Sequence, residues 1–101
     1  MKLPKKLNII GIEYSIIQDK NENGASFSYE KKAIRINPTY KDHYMLEILI
    51  HEISEIIHIM LGNRLFKSEN NSYLFLMDHG MFQTHNEILV NTLINNKLLS
   101  I

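Results

Sequence analysis

Cysteine is absent from the 101 residues. That excludes disulfide staples and thiolate metal ligands, so any metal must be held by imidazole and carboxylate. An excess of charge of either sign is also missing, because eleven basic side chains balance eleven acidic ones. Without a basic or acidic field, neither nucleic-acid phosphates nor an anionic membrane surface is an expected partner. Long hydrophobic runs are lacking too. The N-terminal stretch carries lysines, but Asn8, Gly11, Glu13 and Tyr14 break up its apolar residues, and no signal-peptide core forms. The most apolar segment, 45–61, contains His51, Glu52, Ser54, Glu55 and His58, too much polarity for a lipid-spanning helix. A cytoplasmic chain is the expectation. No repeat, linker or low-complexity segment divides it, and its length suits one domain, 1–101, with one modest core.

What is present falls into two textures. Residues 7–10 and 13–18 flank Gly11, and 25–30 and 33–37 flank the Lys31-Lys32 pair, with a polar turn ending at Gly24 between the two hairpins. Pro38 closes this strand region. From Asp42 to Leu61 the period becomes helical, with Asp42 or Thr39 available as N-cap and Gly62-Asn63 as a stop. Residues 64–67 and 73–77 suggest a further hairpin about the polar stretch 68–72. Asp78 can cap a last helix over 79–99, with Phe82, Leu89, Val90, Leu93 and Ile94 on its apolar face. The predicted class is α+β: antiparallel β-meander and hairpins packed on a central helix and a C-terminal helix.

The chemistry concentrates on the central helix. At 100 degrees per residue His51 and Glu55 project from one face, one turn apart. Glu52 is the more informative side chain. Its helical neighbours Met45, Ile48, Ile56 and Ile59 are all apolar, and a carboxylate in such a stripe is costly unless it is paired or associated with a metal. A general base beside a metal supplies a reason for it, since a metal lowers the pKa of water toward about 7 and a partly desolvated carboxylate accepts the proton. The bland alternative is that His51 and Glu55 form an ordinary solvated pair alongside Glu47 and Ser54. His58, about 10 Å further along the helix axis than His51, is expected to hydrogen-bond on the helix face. His43 is expected at the surface, and the Met and Phe residues of 75–82 as core filling.

The run Ile48-Leu49-Ile50-His51-Glu52-Ile53-Ser54-Glu55 resembles the H-E-x-x-H helix of zinc metallopeptidases. Here the second histidine is replaced by Glu55, giving H-E-x-x-E. The resemblance implies His51 as a metal ligand and Glu52 as the catalytic base. Carboxylate oxygen binds zinc at nearly the imidazole distance, so Glu55 can stand in as ligand, with a shift in preference toward Mn²⁺ or Fe²⁺. The order of elements is similar to that of small zincin-like domains of phage and prophage type, in which a third ligand comes from the start of the following helix. His79 has that placement, and His85 is its rival. The implied activity is metal-dependent hydrolysis of a peptide or protein substrate, with a sheet edge at 33–37 pairing with extended peptide. The alternative is a catalytically degenerate zincin-like domain serving as a structural or protein-binding module. A di-metal carboxylate site would need a second Glu-x-x-His motif, which the chain does not contain.

Overall fold

The computed structural model describes residues 2–67 and 72–98. Among these, the chain runs β1 (Lys6–Ile9), β2 (Ile12–Gln18), β3 (Ala25–Ser28), β4 (Ala33–Ile36), α1 (Asp42–Leu61), β5 (Arg64–Lys67), β6 (Ser72–Phe75) and α2 (His79–Asn95). The α+β class is therefore observed, with two sheets packed against two helices.

The β1–β2 hairpin closes through Ile10 and Gly11, both at positive φ, and pairs Ile9 with Ile12. Two consecutive left-handed residues make the turn whose twist suits a two-residue hairpin loop. Gly11 adopts that conformation freely, whereas Ile10, β-branched and exposed, does so under strain. In the second hairpin Ala25 to Ser28 pair with Ile36 to Ala33.

The two hairpins do not form a simple meander. The order is β1-β2-β4-β3, and β2 pairs with β4 in parallel, Ser15 to Gln18 against Ala33 to Ile36. Composition explains why β4 takes the interior position. Its Ile34 and Ile36 are fully buried, while β3, Ala-Ser-Phe-Ser, offers little apolar surface and tolerates an edge. The stretch 33–37, expected to present a free edge, is thus paired on both sides through most of its length, and the edges of the sheet are β1 and β3.

Leu7, Ile9, Tyr14, Ile34 and Ile36 meet Met45, Leu49, Ile53, Ile56 and Ile57 of α1 in one hydrophobic cluster, to which α2 contributes Leu93. No side-chain cap closes the start of α1. Lys41 occupies the N-cap, and Asp42, predicted as a possible cap, is the first helical residue, where its charge favours the helix dipole. The predicted stop is observed. Gly62 is left-handed at φ 75°, Gly62 N–H donates to Ile59 and Asn63 N–H to His58, the paired bonds of a Schellman end.

The β5–β6 hairpin is present, and residues 68–71 of its expected turn lie outside the described residues. Asp78 caps α2 as expected, accepting from the Met81 N–H at 2.9 Å. The helix ends at Asn95, short of the expected 99, which lies outside the described residues. Its inward stripe holds His85, Thr92 and Leu93, with Ile88 and Leu89 partly buried, so Phe82, Val90 and Ile94 are exposed rather than core. Two polar contacts fix this rotation. The His85 ring stacks on His58 at 4.4 Å, and the Asn96 side chain bonds both N–H and C=O of Asn8 on the outer edge of β1. None of the described helices is long and apolar enough to cross a membrane.

Candidate metal centre

One turn of α1 brings His51 and Glu55 together because residues four apart share a helix face. Their Nε2 and Oε2 atoms stand 3.9 Å apart. Glu52 joins them, and one ligand atom from each of the three lies within 4.8 Å of the others. Two donors on a tetrahedral zinc, each about 2.0–2.1 Å from it, are about 3.3 Å apart, so His51 and Glu55 need only a small side-chain adjustment to share an ion. Imidazole with carboxylate is a donor set that suits Zn²⁺, Mn²⁺ or Fe²⁺. The residues present fit a divalent metal, and the cluster is a possible metal-binding site.

The three side chains differ sharply in environment. His51 is exposed and reaches solvent, Glu55 is mostly covered, and Glu52 is 5% exposed within the stripe formed by Met45, Leu49, Ile53 and Ile56. Desolvation pushes the Glu52 carboxyl above the usual carboxylate range. Positive charge on His51 and Arg64 opposes that rise, and Glu55 and Glu22 add to it. A buried carboxyl with raised proton affinity, next to two ligand-type groups, has the character a general base needs.

The cluster opens into a cleft of about 460 Å³ walled by Ser26 and Phe27 of β3, Tyr29 of the following turn, and Arg64 and Tyr73 of the β5–β6 hairpin. The edge strand β3 thus borders the turn of α1 that carries His51 and Glu55. The guanidinium carbon of Arg64 sits 3.6 Å over the Tyr73 ring and 5.3 Å from that of Phe27. These wall residues were not identifiable from the sequence. Arg64 follows the helix stop by two residues, and nothing in its neighbours marks it as folding back over the cluster.

His79, the expected third ligand, is exposed at the first position of α2 and lies outside the cluster. The helices run antiparallel: His58 near the end of α1 stacks on His85 in the first half of α2, while Met45 at the start of α1 shares a cleft with Asn96 and Leu98 beyond the end of α2. Along that common direction His79 is about 9 Å beyond His85, and His51 about 10 Å back from His58, so the two are carried in opposite directions. His85 also lies outside the cluster, buried against His58. His58 itself hydrogen-bonds through Nδ1 to Asn63 Oδ1 at 2.8 Å and packs on Phe75, the helix-face role expected of it. His43 is exposed as expected.

No family model, curated protein or solved structure matches the chain.

Proposed function

We propose that the protein is a metal-dependent hydrolase acting on extended peptide, with His51 and Glu55 as protein ligands to the ion and Glu52 as the base. One observation carries the reading: a nearly buried carboxyl of raised proton affinity stands beside an exposed imidazole and a second carboxylate, at the wall of an open cleft. A divalent ion bound there supplies Lewis acidity, polarising a carbonyl and making water more acidic. Glu52 then receives the proton on its carboxylate and holds it for the leaving amine, a transfer favoured by its desolvated position. Positive charge on His51 and, to a smaller extent, on Arg64 opposes the rise in its proton affinity. Strand β3, open on one side, is the element on which an extended substrate backbone would align beside the cluster. The H-E-x-x-E pattern and its resemblance to the zinc-peptidase helix agree with this assignment of roles.

A second reading is favoured by the mutual 4.8 Å grouping of all three side chains and by the position of His79 outside it. In that reading Glu52 is itself the third ligand, and the ion is structural or serves a protein-binding module. The Glu52→Gln protein separates the two. As a base, its loss leaves zinc affinity nearly unchanged and abolishes hydrolysis of a peptide library. As a ligand, its loss weakens zinc by an order of magnitude or more. Wild-type protein that takes up no zinc, manganese or iron by elemental analysis refutes both.

A further inference from the structure

We infer that Arg64 is a specificity-determining residue that anchors a carboxylate group of the ligand in the cleft. The inference rests on the hydrolase reading for the class of ligand, a peptide, and adds which peptides the cleft accepts.

The guanidinium is held in place without being satisfied. Tyr73 and Phe27 occupy positions against it, and contact with a ring engages the π face but leaves the in-plane N–H groups unspent. Among the described residues no hydrogen bond or ion pair takes up these donors, and the buried Nε is without a partner. A covered donor in that condition is costly and calls for an explanation. Neither Glu52 nor Glu55 supplies one, because neither stands within ion-pair distance although both line the same cleft.

With His51 neutral, the side chains lining the cleft carry one net negative charge, and a divalent ion turns that into one net positive charge. The loaded cleft therefore suits a monoanionic ligand, and arginine's planar fork matches a carboxylate in a bidentate manner that lysine does not. Two sources share this chemistry, the α-carboxylate that ends a peptide and the side chain of an acidic residue.

The test is calorimetric binding to the protein with and without zinc, with metal content measured on the same samples. The probes are N-acetyl-Gly-Gly with a free C-terminus, the same peptide as its amide, and N-acetyl-Asp amide. The free acid is expected to bind at least about tenfold more tightly than the amide to the zinc-loaded protein. That preference is expected to vanish in Arg64→Met, which keeps the stem against Tyr73, and to be only partly retained in Arg64→Lys. Binding of N-acetyl-Asp amide at the strength of the free acid assigns the anchor to any carboxylate, and weak binding assigns it to the C-terminus. Zinc-loaded protein that binds acid and amide equally overturns the Arg64 assignment and leaves the metal reading intact. Protein that holds no zinc overturns the metal reading; the Arg64 assignment is then decided on the metal-free protein, supported by an acid preference that Arg64→Met removes and overturned by equal binding. Unchanged melting temperature of Arg64→Met separates loss of the anchor from loss of the fold.

Discussion

Glu52→Gln reports on stability and on metal binding separately, which makes it the most discriminating single change. Burial raises the Glu52 pKa in the folded chain above its unfolded value. The folded form consequently binds a proton more readily than the unfolded one, so this side chain favours folding below the ordinary carboxylate range. That contribution is lost as pH rises through the folded pKa, and above it the native state carries a desolvated charge. Gln is nearly the same shape and remains neutral. At pH 7.5 and without metal, Glu52→Gln is expected to be the more stable protein by about 1 kcal/mol or more, the lower end of what polar desolvation costs in proteins. For a chain of 101 residues that is a rise in melting temperature of about 4–8 °C. At pH 4 the gap should close, because the native carboxyl is then already protonated. Zinc adds the second axis. At a hundredfold excess over its Kd a ligand stabilises by about 2.7 kcal/mol; if Glu52 is the base, zinc raises both proteins alike. The assay is differential scanning calorimetry at two pH values, each with zinc and with chelator. A variant less stable than wild type in chelator at pH 7.5, with the difference unchanged at pH 4, would refute the account of Glu52 as an uncompensated buried acid.

Three further changes test other parts of the structure. Ile10→Asn places a residue that tolerates left-handed backbone at φ 50° beside Gly11; it is expected to stabilise by about 1 kcal/mol, read as a shift in the urea midpoint, and destabilisation would refute the strain at that turn. Tyr14→Phe removes a hydroxyl that is buried without a partner. It should be neutral or slightly stabilising near pH 7. Because burial pushes the Tyr14 phenol up to about 12, its preference for the neutral folded form is lost as pH rises from 10 toward 12, and this part of alkaline destabilisation should disappear in the variant. For His58, desolvation is the main cause of a lowered pKa, with the stacked His85 adding to it and the bond to Asn63 opposing it. Its contribution to stability is present above the unfolded histidine pKa of about 6.5 and is lost as pH falls through the lower folded value. Denaturation midpoints of wild type should therefore drop more steeply below pH 6.5 than those of His58→Phe, and parallel profiles would refute that assignment.

How much of this was legible in the sequence depended on the range of the interaction. The helix Asp42–Leu61 announced itself because its period, its glycine stop and the odd carboxylate at 52 are all properties of neighbouring residues. The coming together of His51, Glu52 and Glu55 was legible for the same reason, since a helix fixes the geometry of positions three and four apart. Asp78 as a cap and Gly11 in a tight hairpin turn are likewise local chemistry.

What was not legible is settled by pairs far apart in the chain. The edge was assigned to 33–37 on the assumption that consecutive strands pair in sequence, yet β4 is drawn between β2 and β3 because Ile34 and Ile36 gain more from full cover than the Ala-Ser-Phe-Ser strand would. The consequence reaches the site, since the strand bordering His51 and Glu52 is β3 with its serines and Phe27. The direction of α2 shows the same dependence. A histidine just after a cap reads as a third ligand only if the helix returns toward the cluster, and that is decided by the stack of His85 on His58 and by Asn96 clasping the Asn8 backbone 88 residues away. With α2 held in that direction, His79 lies outside the group of His51, Glu52 and Glu55. Arg64 from the β5–β6 hairpin lines the cleft beside the cluster, and a local pattern of ligand types gave no reason to look for an arginine there. A local pattern therefore reaches as far as one turn of α1, and the residues that wall the cleft beside that turn are settled by how separate elements pack.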